Sequence, residues 1–189
     1  MATEYPGVRA GTGELPSTTE VLQAFRPTGD RHSGHQLLEA AHRLARCHEL
    51  RWRTQQAAQA PDASELRVAT ARHVLDEIDR DRASQVDRID SWVAEHIVHR
   101  EGASMHTETL GAVIDRLAAK WVAAQQALGL PSAVPEPPAD TPGGVRQRLV
   151  QHGVSGEARL HWVRLAELVD GYRDLITDVV ERRRRLPVF

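Results

Sequence analysis

Four polar side chains fall where this sequence otherwise places apolar ones. His48, Arg82, His96 and His161 lie on the apolar stripes of three different helical stretches. A buried polar group without a partner costs roughly 1 to 3 kcal/mol, and an isolated charge costs more. Each of the four therefore needs a partner or a water-filled pocket. Arg82 is the strictest case, because a guanidinium does not shed its proton and demands either a carboxylate or an anionic ligand. Asp115, Glu108, Glu39 and Asp170 are the candidate partners. A structural ion pair that fixes helix register is the plainer expectation, and an arginine facing an anionic substrate is the functional one.

His106 and Glu108 open a later helical stretch, where unsatisfied N–H groups and the positive end of the helix dipole favour acceptors and anions. Thr107 or Thr109 suits the N-cap there. The functional reading makes His106 and Glu108 an acid–base pair, since imidazole titrates near neutrality and a carboxylate can fix its tautomer. His48 and His161 are further proton carriers in that scheme. Asp115 follows Glu108 by one heptad, so it shares a face with it and either holds Arg82 or points into the same pocket. Trp52 and Trp121, with Trp92 and Trp162, pack the core or line that pocket.

A metal needs more than these residues supply. Helical bundles hold carboxylate-bridged di-iron centres through Glu-x-x-His pairs, and Glu39 with His42 is one such pair. A second copy is missing, because Glu157 with His161 and Glu95 with His99 are spaced i,i+4. A mononuclear site from His96 with His99 or His106 is the metal alternative, and with ten histidines chance pairs are expected. The reading therefore assigns no metal ligands and no cofactor. Cys47 and His48 are adjacent on a helix, hence about 100° apart, which disfavours a Cys–His nucleophile. No phosphate-cradling glycine loop, Ser-His-Asp order or dinucleotide fingerprint occurs.

The elements that must position these residues read as helices. The 189 residues carry 24 Lys and Arg against 26 Asp and Glu, with 41% hydrophobic and only 4% aromatic residues. That balance fits one packed domain rich in Ala and Leu, and disfavours sandwiches and barrels. Near-neutral charge gives no whole-chain footprint for nucleic acid or an anionic membrane. One cysteine excludes a disulfide framework, and no segment reaches the roughly 20 apolar residues of a membrane span. A soluble cytoplasmic protein is expected.

Residues 1–32 read as a flexible arm with a short helix at about 18–26, started by a Ser17/Glu20 capping box. Residues 33–189 read as a single helical domain. A first long helix runs from Ser33 to before Pro61, and a second, capped by Asp62 with Glu65, runs to His96. A third carries Leu110 to Leu128 and stops at Gly129. A Pro-rich connection spans about 130–144, a short helix follows at about 145–152, and a last long helix begins at Ser155. The run Arg182 to Arg185 ends that helix, where cations complement its dipole. Four long amphipathic helices give an all-α fold, an antiparallel four-helix bundle with short accessory helices and a Pro-rich crossover.

The run His106-Thr107-Glu108-Thr109-Leu110-Gly111-Ala112-Val113-Ile114-Asp115-Arg116-Leu117 resembles the "HTET-G-x-x-IDRL" signature of the bacterial domain-of-unknown-function family 4254. Ile78-Asp79 with Arg82 and Ile89-Asp90 are similar to that family's "IDxLNxxR…ID" run, and Tyr172 to Pro187 to its "YDDLxxDVxxGRRRLP" ending. The resemblance covers roughly residues 35–189. It departs after Trp52, where Gln55 and Gln56 replace an acidic pair. The resemblance implies a helical bacterial protein and supplies no reaction.

The residues themselves lead to two readings. One is a cofactor-independent enzyme or ligand-binding protein of bacterial specialised metabolism, holding a small anionic substrate on Arg82 and moving protons with His106, Glu108, His48 or His161. The other is a non-catalytic helical interaction protein, with a homodimer as one form of it; a metal-dependent oxidative enzyme is a third class.

Overall fold

The computed structural model describes residues 14–26, 34–129 and 156–187. These residues are mostly helical, with five helices and two strands of two residues each. The helix α1 spans Thr18–Ala24, α2 Gln36–Ala58, α3 Glu65–His96, α4 Leu110–Ala127 and α5 Gly156–Val180. The expected Pro-rich segment 130–144, the short helix at 145–152 and most of the N-terminal arm lie outside the described residues.

Caps set most of the boundaries. Ser17 and Glu20 form the expected capping box at α1, each side chain binding the other's backbone N–H. At α3 the cap is Ser64 rather than Asp62: Ser64 is extended and its hydroxyl accepts from the Arg67 N–H at 3.3 Å. At α4 it is Thr109 rather than Thr107, accepting from the Ala112 N–H at 3.2 Å. Gly129 adopts φ +63 just past α4, the left-handed geometry expected of its C-terminal stop.

The apolar stripes meet in one core. Val21, Leu37, Leu44, Ile89, Leu110, Ile114, Leu117 and Tyr172 are essentially inaccessible. Burying one such side chain contributes about 1.5 to 3 kcal/mol. The helix α2 packs on α3 and α4, α4 also packs on α3 and α5, and α1 lies on α2 and α5. The short helix is thus part of the core, through Val21, Ala24 and Phe25. The buried Tyr172 hydroxyl donates to the Pro16 carbonyl at 2.8 Å and ties the residues before α1 to α5. Burial pushes that phenol above its ordinary pKa.

Two short strands supplement an otherwise helical structure, as an all-α fold allows. The helix α5 ends at Val180 in a Schellman motif: the Arg183 N–H reaches the Asp178 carbonyl and the Arg182 N–H that of Val179. Arg182 takes the left-handed position usually given to glycine, φ +57. The chain then leaves the helix, and Arg184–Arg185 (β2) pair in parallel with Ser104–Met105 (β1). Arg183 and Arg184 reach back to Asp178, so the arginine run binds its own turn as well as complementing a dipole.

Candidate functional site

Two positions on α2, two on α3 and one on α4 build a chain in which nitrogen donors and carboxylates alternate. His48 and Arg51 are one turn apart on α2, and Asp79 and Arg82 one turn apart on α3. His48 Nε2 lies 2.9 Å from Asp115 Oδ1, and Arg82 Nε lies 3.4 Å from the same oxygen. Arg82 also reaches Asp79 Oδ1 at 3.3 Å, and Arg51 binds that oxygen from α2. The order is His48, Asp115, Arg82, Asp79, Arg51. Arg82 is therefore partnered by Asp115 and Asp79; Glu108 pairs with Arg116, Asp170 with Arg173, and Glu39 is exposed.

Accessibility grades along this chain. The side chains of His48 and Asp115 are 11% and 19% exposed, against 34% for Arg82 and 42% for Asp79. A carboxylate can only accept, so His48 donates from Nε2, and the neutral ring keeps its lone pair on Nδ1. Asp115 thereby sets the tautomer of His48, and Arg82 Nε faces the same carboxylate oxygen from α3. This is the orienting half of a general-base arrangement.

Cys47 borders the same seam. Its thiol donates to Asp81 Oδ2 at 3.4 Å, and Gln85 donates to Asp81 Oδ1 at 3.0 Å. Burial pushes the thiol up to about 12, with the Asp81 and Asp115 carboxylates adding to the effect, so it is protonated at neutral pH. An open groove of about 410 Å³ lies alongside, lined by His42, Arg43, Arg46, Cys47, Leu50 and Asp81.

His106 and Glu108 are adjacent in the chain, but their side chains have different partners. His106 Nδ1 lies 2.8 Å from the Glu108 carbonyl oxygen and 3.2 Å from the Glu108 N–H, so the main chain satisfies it. The Glu108 carboxylate takes both guanidinium nitrogens of Arg116 at 2.7 Å. His161 stands on α5, apart from the seam, with Nδ1 buried and unbonded among the described residues. Next to it, Trp162 meets Trp121 edge-on, ring centroids 6.5 Å apart, and Trp121 packs against Phe25. Trp52 is 38% exposed and Trp162 36%, whereas Trp92 is buried. His96 is exposed, stacks on Trp92 at 4.7 Å and binds the Trp92 carbonyl through Nδ1.

Asp90 and Gly111 explain a different part of the resemblance. The Gly111 N–H donates to Asp90 Oδ1 at 2.8 Å, and Thr109 also binds Asp90. A Cβ on Gly111 would stand 2.6 Å from the Val86 carbonyl oxygen and 2.8 Å from Asp90 Oδ1. Only glycine lets α4 start this close to α3.

Among the described residues no three His, Cys, Asp or Glu side chains gather as a metal-binding group, and no helix is long and apolar enough to cross a membrane. The Glu157 side chain, one half of an expected i,i+4 pair, lies outside what is described. Sequence reading missed Arg51 as a partner in the seam and placed Asp79 only within a motif. The signal was the i,i+3 spacing of two charged residues on each of two neighbouring helices. The family described as "Protein of unknown function (DUF4254)" matches residues 38–188, and the chain belongs to it. No curated protein and no solved structure matches the chain.

Proposed function

We propose that this member of the DUF4254 family is a cofactor-independent enzyme of small-molecule metabolism, with His48 as general acid–base and Asp115 as its orienting carboxylate. The observation that carries the reading is the meeting of His48, Asp115 and Arg82 from three helices at one half-buried point. Arg82 has a double role here: it fixes Asp115, and its partly exposed guanidinium offers charge to an anionic substrate. His106 and Glu108 serve the turn into α4 in this reading, and His161 stays outside the reacting centre. We read α2 to α5 as an antiparallel four-helix bundle; the contacts Cys47–Asp81 and Arg51–Asp79, which run in opposite senses along α2 and α3, support it.

The test is to incubate the purified protein with a small-metabolite extract and follow consumption by mass spectrometry. The wild type should deplete a species that His48→Gln and Asp115→Asn leave at least a hundredfold more slowly consumed, with helical melts close to wild type. Equal depletion by wild type and both variants would sink the acid–base assignment.

A second reading, self-association, is supported by Leu160, Trp162 and Val163, which stand 46%, 36% and 46% exposed on α5. Sedimentation of Val163→Glu against wild type separates it: a dimer that the variant dissociates supports this reading.

A further inference from the structure

The groove between α2 and α3 contains charges that the acid–base reading does not use. Arg43 and Arg46 line it from one face of α2, one turn apart, and neither makes an ion pair among the described residues. Both are exposed, and two like charges at that spacing repel weakly, so an anionic group in the concavity would be favoured by both. The carboxylate in the groove, Asp81, does not supply it. Asp81 accepts from a thiol and a carboxamide, both neutral, and has no cationic partner among the described residues. The groove thus presents two cations and one anion that make no ion pair with one another among the described residues.

His42 and Leu50 complete the wall. His42 Nδ1 donates to the Ala24 carbonyl at 2.8 Å, because a carbonyl can only accept, and the neutral ring therefore keeps its lone pair on Nε2. Leu50, 36% exposed, gives the groove an apolar stretch. A volume of about 410 Å³ lies within the roughly 300 to 1,000 Å³ typical of small-molecule sites.

We propose that this groove binds a small zwitterion, with its carboxylate on Arg43 and Arg46 and its ammonium on Asp81. A ligand carrying both charges satisfies all three side chains, whereas a simple anion leaves Asp81 repelling it and a simple cation faces two arginines. Neither His48 nor Asp115 lines the groove, so the assignment goes beyond the acid–base reading and stands without it.

The experiment is isothermal titration with glycine, β-alanine, 4-aminobutyrate and 5-aminopentanoate, a series in which only the spacing of the charges changes. Butyrate and butylammonium are the single-charge controls. One member of the series is expected to saturate, with both controls at least tenfold weaker. Arg46→Gln and Asp81→Asn should each weaken that member at least tenfold, while Asp81→Asn strengthens butyrate. Circular dichroism checks that these variants keep the wild-type helicity. No saturable member in the series would overturn the proposal. So would butyrate binding as tightly as the best zwitterion, or affinity unchanged in both variants.

Discussion

The contact of α3 with α4 at Gly111 and the polar seam, which adds His48 and Arg51 of α2, lie on neighbouring turns of α3 and α4, yet they are built oppositely. At Gly111 the backbones touch, a side chain is excluded, and Asp90 accepts from an N–H in the buried first turn of α4. At His48 the helices meet through polar side chains, the outer of which reach solvent. The first region tolerates no added atom. The second keeps its geometry through a network whose members can be exchanged for shapes of similar size. The family's signature motif sits mostly in the first kind of region, and only its Asp115 reaches into the second. A recognisable motif can therefore mark where a fold is tightest.

The largest test of that contrast is Gly111→Ala. A methyl group 2.6 Å from a backbone oxygen cannot be relieved by a rotamer change, so α4 must move, at about 3 kcal/mol. Urea unfolding measures this, and a loss below that of an ordinary surface substitution would show the junction to be adaptable. In the seam, Asp115→Ala should be milder, about 2 kcal/mol, because it leaves His48 and Arg82 without their shared acceptor. Asp115→Asn keeps one acceptor and should cost under about 1 kcal/mol. If the alanine and asparagine variants unfold alike, the seam contributes by volume rather than by hydrogen bonding.

This contrast also explains what the sequence could reveal. The helices were legible because the apolar stripes of α2 to α5 and the Ser17/Glu20 box are local patterns, and a local pattern fixes a local structure. Arg82 was legible as a residue in need of a carboxylate because it falls on an apolar stripe; in the structure its guanidinium is 34% exposed and has Asp115 and Asp79 as partners. Which carboxylates meet it was not legible, because Asp79 and Asp115 differ from Glu39 or Asp170 only in how three helices rotate against one another. His106 with Glu108 misled for the opposite reason: neighbours in the chain need not aim their side chains at each other, and here the main chain and Arg116 took them separately. The pairing of β1 with β2 was invisible because two residues give no periodicity.

Asp90 sharpens the comparison at the tight junction. Burial raises its carboxyl above the ordinary value despite hydrogen bonds from Thr109 and Gly111 that favour the charge. The folded state then holds the proton more readily than the unfolded chain, so this contribution to stability is complete below the unfolded pKa near 3.8 and is lost as pH rises through the folded value. Asp90→Asn keeps an acceptor for Gly111 and carries no charge, so it should match or exceed wild type at pH 7 and lose that advantage toward pH 4. Asp90→Ala removes the acceptor and should cost about 1 to 2 kcal/mol at both. Thermal melts at the two pH values distinguish a desolvated carboxylate from a simple cap.

The smallest expected effect lies outside both regions, at His99, and it has the opposite sign. Burial and the Arg185 guanidinium disfavour its imidazolium, and both ring nitrogens are buried without hydrogen-bond partners among the described residues. The unfolded chain therefore binds this proton more readily, and stability present above about pH 6.5 is lost as pH falls through the lowered folded value. His99→Gln removes the titration, so the decline in melting temperature from pH 7 to pH 5 should be shallower than in wild type. Because Asp90 gains stability and His99 loses it as pH falls, the changes in slope made by Asp90→Asn and His99→Gln have opposite signs, and the double variant should show their sum, in which the two partly offset. A double variant whose pH slope departs from that sum would show that the two sites are coupled.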